Sequence, residues 1–89
     1  HQDTWVCVNA ERAALKRLEG GCQVPIAAYA EIINGKIEMR GLVGSVDGKQ
    51  IIKANISGNP EDAEKLGTDL ANLLLADGAK EILDEVYQN

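Results

Sequence analysis

The chain has 89 residues, of which 45% are hydrophobic, and carries a formal net charge of −5 with one Trp, two Tyr and no Phe. One small domain spanning residues 1–89 with a mostly aliphatic core is expected. The acidic balance excludes a nucleic-acid backbone partner and an anionic membrane surface, and no apolar run reaches the roughly 18 to 20 residues that cross a bilayer. No signal peptide is visible, and the opening residue, His1, is what a piece of a longer chain would present. Cys7 and Cys22 are the only cysteines. Two thiols in an acidic, aliphatic chain fit a reducing cytosol better than a disulfide scaffold, so a cytoplasmic location is expected. With one histidine and no C-x-x-C pair, no metal site is expected.

Asp3 or Thr4 can cap a first helix ending near Leu18, and Asn9 offers a second start. Trp5, Val8, Leu15 and Leu18 fall near one helical stripe, the candidate buried face. Gly20-Gly21 stops the helix.

Three strand-like runs follow: Ile26 to Ile33, Lys36 to Gly44 and Gln50 to Ser57. Asn34-Gly35 between the first two is a strong type I′ hairpin signal, and Asp47-Gly48 repeats it. The first turn sets Ile32 against Ile37, Ala30 against Met39 and Ala28 against Gly41. The second sets Val43 against Ile52, Gly41 against Ala54 and Met39 against Ile56. Both registers place apolar residues on one side, and a slip of one residue would destroy that agreement. The other side carries Tyr29, Glu31, Glu38, Arg40 and Lys53. Glu31 opposite Glu38 is mildly unfavourable, and Arg40 and Lys36 are placed to offset it.

Asn59-Pro60 predicts the cap and first turn of a second helix, with the acidic Glu61-Asp62 and Glu64 matched to its positive end. Its buried stripe is expected to be Ala63, Leu66, Leu70, Leu73 and Leu74. Gly67 within it costs about 1 kcal/mol relative to Ala, which close packing on the sheet would explain. Gly78 ends this helix, and Ala79 to Tyr87 reads as a third, with Ile82, Leu83 and Val86 inward. The fold class is therefore α+β: a three-stranded antiparallel meander with helices on one face, in the order αβββαα.

Cys22 is the one candidate for chemistry. It sits just past a helix end, after two glycines and before Val24-Pro25. Pro25 biases Val24 toward extended geometry. Activated thiols favour helix N-termini, whereas this one follows a C-terminus, with Arg12 and Arg17 as candidate compensating charges. Position alone reads as an ordinary loop cysteine, or as an anchor that reacts once and stays bonded. Cys7 reads as a helix residue, buried or partly so. Trp5 reads as packing.

The segment from Asn9 to Ala30 carries Glu11-Arg12, then Leu18-Glu19-Gly20-Gly21-Cys22, then Val24-Pro25-Ile26. It resembles the signature of porphobilinogen deaminase, also called hydroxymethylbilane synthase. Leu42-Val43-Gly44-Ser45 before Asp47-Gly48, and Gly78-Ala79-Lys80-Glu81-Ile82-Leu83, agree with that likeness, which spans nearly the whole chain. The resemblance implies the last of three domains of a cytoplasmic transferase of tetrapyrrole, porphyrin and heme biosynthesis. It implies a thioether from Cys22 to a dipyrromethane cofactor, with Gly20, Gly21, Gln23 and Val24 shaping the loop. On that primer four porphobilinogen molecules are joined into hydroxymethylbilane. The family's catalytic aspartate and its arginine and lysine cluster lie in domains 1 and 2. No catalytic residue is expected here, the chain alone should be inactive, and its partners are those two domains, porphobilinogen and the growing oligopyrrole. It is expected to be a monomer.

The alternative is an acidic αβββα binding module with no catalytic role. Double-stranded RNA-binding domains share that order but need basic residues where this chain has Pro60-Glu61-Asp62. A free-standing thiol enzyme would need a base, and no histidine lies near Cys22 in sequence.

Overall fold

The structure is a computed structural model that describes residues 2–18 and 24–88; the side chains of residues 2 and 86–88 are not among those described. Helix α1 covers Gln2–Arg17, strands β1, β2 and β3 cover Ile26–Ile33, Lys36–Gly44 and Ile51–Gly58, and helices α2 and α3 cover Ala63–Leu74 and Lys80–Gln88. The strands form one antiparallel meander in the order β1-β2-β3, and the αβββαα reading holds.

Turn chemistry and side-chain alternation fix the register together. Asn34 and Gly35 take φ of 52° and 79°, the positive pair that a type I′ turn demands. Ile32 then faces Ile37, Ala30 faces Met39 and Ala28 faces Gly41. Val43 faces Ile52, Gly41 faces Ala54 and Met39 faces Ile56. All six expected pairs are present. The second turn differs in kind. Its flanking pair is Ser45 and Gln50, with the Ser45 amide donating to the Gln50 carbonyl at 2.9 Å. Gly48 has φ 77°, whereas Asp47 does not take a positive value. This is a four-residue loop centred on Asp47-Gly48, so the register survives although the turn type does not.

The inner face of the sheet carries Ala30, Ile37, Met39 and Val43, all buried, and α2 lays Leu66, Leu70 and Leu74 across it. Each fully buried aliphatic chain of this kind contributes about 1.5–3 kcal/mol. Leu73 is exposed rather than part of that stripe. Asn59 precedes a single 3-10 turn, Pro60–Asp62, and its side chain makes no cap; its Oδ1 accepts from Lys36 Nζ instead. Between α2 and α3 the chain turns through Gly78 at φ 128°. Past that kink, Ile82 and Leu83 are buried as expected.

Helix α1 departs most from its expected face. Its buried residues are Ala10, Ala14 and Leu18, while Trp5 is 61% exposed and Leu15 is also exposed. The reason lies in α2. A Cβ at Gly67 would collide with the Ala10 carbonyl oxygen and come within 2.9 Å of Ala13 Cβ and 3.0 Å of Ala14 N. Gly67 thus makes room for a neighbouring helix, not for the sheet. The closeness of the two backbones selects small residues on α1 and leaves its large ones outside.

Gly67→Ala separates two opposed effects. Intrinsic propensity favours Ala by about 1 kcal/mol, but the added methyl meets backbone that cannot move aside. A net destabilisation of about 1–3 kcal/mol is expected, as for overpacked cores, and urea unfolding of the variant measures it.

Candidate functional site

Gly20, Gly21, Cys22 and Gln23 lie outside the described residues, and the structure describes what holds the two ends of their loop. On one side, Leu18 is 1% exposed and its amide donates to the Ala14 carbonyl at 3.1 Å, closing the last turn of α1. On the other, Val24 is 6% exposed, and the Pro25 carbonyl accepts from the Gly44 amide at 2.8 Å. Val24, expected only to shape the loop, is a member of the core. The described residues on either side of 19–23, Leu18 and Val24, are thus both members of the core.

A carboxylate ties these two sides together. The Pro25–Gly44 bond marks the odd-numbered residues of β1 as those bonded to β2, because antiparallel pairing alternates. The Ala30 amide therefore points away from β2, and it donates to Glu11 Oε2 at 2.8 Å. Glu11 entered the sequence reading only as part of a motif, with no role. No periodicity signals this bond: it depends on α1 lying beside β1, which only the fold provides.

Cys7 lies on α1, half-buried, in a groove of about 390 Å³ shared with Asp3, Glu11 and Glu31. Burial pushes its thiol up from the usual range, and the charges of Glu11, Asp3 and Glu31 push it the same way. At neutral pH it stays protonated and is a poor nucleophile. Among the described residues no three His, Cys, Asp or Glu side chains form a metal-binding group.

The cations are dispersed. Arg17 stands in the last turn of α1, and Arg12, five residues earlier, projects about 140° away around the helix. On the outer sheet face the Arg40 guanidinium lies over the Tyr29 ring, 5.4 Å from its centre, in a geometry that attracts a cation to the ring quadrupole. Glu31 does sit opposite Glu38. The Tyr29 hydroxyl lies 3.4 Å from Glu31 Oε2, while Lys36 is engaged by Asn59. Neither Lys36 nor Arg40 forms an ion pair with either glutamate; ion pairs among the described residues include Lys65–Asp69 and Lys80–Asp84. No helix among the described residues is long and apolar enough to cross a membrane.

Residues 5–76 match the family described as "Porphobilinogen deaminase, C-terminal domain". The chain belongs to that family. It is also 56% identical over 88 residues to a protein named porphobilinogen deaminase from Trichlorobacter lovleyi, an alignment covering 99% of this chain and 28% of the relative. The chain thus spans a little over a quarter of that relative's length. The family match runs across α1, the loop of Cys22, the whole sheet and α2. The porphobilinogen deaminase motif from Leu18 to Pro25 accordingly coincides with the loop whose two ends are buried.

Two measurements check this geometry. Glu11→Ala leaves the Ala30 amide without its acceptor; a loss of about 1.5–3 kcal/mol is expected, with faster hydrogen exchange at Ala30, while Glu11→Gln keeps an acceptor and loses less. Alkylation of Cys7 by iodoacetamide should rise with pH at a midpoint above that of an unfolded thiol, and urea should speed it. By linkage, the unfolded thiol ionises first, so this group's contribution to stability is full below the ordinary thiol pKa and is lost as pH rises from there through the raised value of the folded state.

Proposed function

We propose that this chain is the primer-carrying C-terminal domain of a porphobilinogen deaminase, with Cys22 as the thioether anchor of a dipyrromethane cofactor. The observation that carries this reading is the setting of Cys7, which disqualifies that thiol as the anchor. A thioether to an acid-bearing pyrrole needs a thiol with space around it and no crowd of carboxylates. Cys7 fails on the second count: it lies in the groove between α1 and β1 with Asp3, Glu11 and Glu31 around it. Cys22 belongs to a short loop between the buried Leu18 and Val24, inside the matched family segment.

The residues divide the work accordingly. Leu18 and Val24 fix the ends of the loop, and Glu11 holds α1 against β1 through the Ala30 amide. The reading assigns to Gly20, Gly21 and Gln23 the shaping of the loop around Cys22, a role for which glycine's conformational freedom suits the first two. When bound, the dipyrromethane supplies the acceptor position from which four porphobilinogen units are joined, each losing ammonia, before hydrolysis releases hydroxymethylbilane. Nothing among the described residues supplies a catalytic cluster for that chemistry. A net charge of −5 also disfavours holding many carboxylates here. The polymerising groups belong to the rest of the parent transferase, domains 1 and 2, and the isolated chain is inactive.

Denaturing mass spectrometry tests the assignment. The full-length parent should carry a dipyrromethane adduct that Cys22→Ser abolishes and Cys7→Ser retains. The isolated chain should weigh as the free thiol. An adduct that survives Cys22→Ser, or one that forms on the isolated chain, would overturn the reading.

A further inference from the structure

We propose that the outer face of the sheet carries a binding site for an aromatic monocarboxylate, with the ring seated on Tyr29 and Leu42 and the carboxylate held by Lys53. The site lies on the face turned away from the helices, and it does not depend on the role of Cys22.

The helices leave this face open. Ala27, Tyr29, Arg40, Lys53 and Asn55 are exposed on it, and Leu42 is partly covered. Together they line a half-open concavity of about 440 Å³, a volume within the range of small-ligand sites. Strand pairing sets its plan. Ala27, Leu42 and Lys53 form one row across the three strands, and Tyr29, Arg40 and Asn55 form the next. Ala27 is the short member of these rows and leaves a hollow among taller neighbours. Tyr29 is 50% exposed, so its ring offers apolar surface beside Leu42. The Arg40 guanidinium, 5.4 Å from the ring centre, holds that ring in place. A surface ordered before binding loses less conformational entropy when a ligand arrives.

Charge selects the ligand. In a chain of net charge −5, Arg40 and Lys53 line this hollow and, among the described residues, no carboxylate does. Neither cation forms an ion pair with a carboxylate among the described residues. Arg40 is engaged by Tyr29, which leaves Lys53 to meet an anion. Lys53 stands opposite Leu42. Neighbouring strands run about 4.8 Å apart, so the four-carbon stem of Lys53 brings its ammonium to a group resting on Leu42. The nearest carboxylates, Glu31 and Glu38, occupy the row beyond Tyr29 and Arg40. They repel the anionic end of a ligand toward Lys53, and they disfavour a second negative charge. A bare anion would leave the apolar floor unused, and a neutral ring would leave Lys53 unpaired. A ring that bears one carboxylate satisfies both.

Phenylacetate is the probe, titrated into the chain and followed through its amide NMR shifts. A Kd of about 1 mM is expected for a ligand of this size, with shifts gathered at Ala27, Tyr29, Arg40, Leu42 and Lys53. Acetate lacks the ring and phenylacetamide lacks the charge; each should bind about tenfold more weakly or worse. Lys53→Glu should weaken phenylacetate about tenfold by adding repulsion, and Lys53→Gln about threefold by removing one exposed ion pair. Lys16→Glu, on α1, makes the same change in net charge as Lys53→Glu and should leave the Kd unchanged. In the full-length parent the shifts that depend on Lys53 should persist. Shifts scattered over the chain, equal binding of acetate or phenylacetamide, or an unchanged Kd in a folded Lys53→Gln chain would each overturn the site. Loss of the shifts in the parent would place another part of the enzyme on this face and likewise overturn it.

Discussion

The approach of α1 to α2 at Gly67 governs the rest of the molecule. Because Gly67 has no side chain, the backbone around Ala10 to Ala14 comes into direct contact with it. That contact fixes where α1 lies on the layer, and so where Glu11 reaches β1 and where Leu18 enters the core. A bulkier residue at position 67 would move α1 as a body. Leu18, at the end of that helix, would move with it.

The strands were legible because their signals are local. A period of two, bounded by Asn34-Gly35 and by Asp47-Gly48, permits one register in which both hairpins agree, and that register is the observed one. The failures share a cause. Trp5, Leu15 and Leu73 were placed inside because large apolar residues usually select the buried face. Here the α1 face was selected by smallness, since Gly67 demands Ala10, Ala13 and Ala14 opposite it. Asn59 was read as a cap from its neighbours in sequence, yet its side chain is claimed by Lys36, 23 positions earlier. Interactions set by tertiary distance leave no periodic trace.

The same division runs through the candidate site. The motif around Cys22 is legible as a motif, and Leu18 and Val24 on either side of it are buried. The contrast between the two thiols needed the structure, because the carboxylates around Cys7 come from both α1 and β1. Glu31 is 24 positions from Cys7 in sequence yet acts on its thiol. The Cys7 sulfur is kept protonated by burial and by negative charge drawn from two elements.

The clasp between Glu11 and the Ala30 amide also limits how this sheet can grow. An open three-stranded layer has two lateral margins, and each presents a row of ladder donors to any extended chain nearby. Along β1 that row is interrupted at its middle by a carboxylate already seated there. Only the flank of β3 remains, and Lys53 projects its charge from that strand. A sheet that can accept a neighbour on one side alone can at most pair once, so the domain is protected from endless ribbon formation without needing a fourth strand.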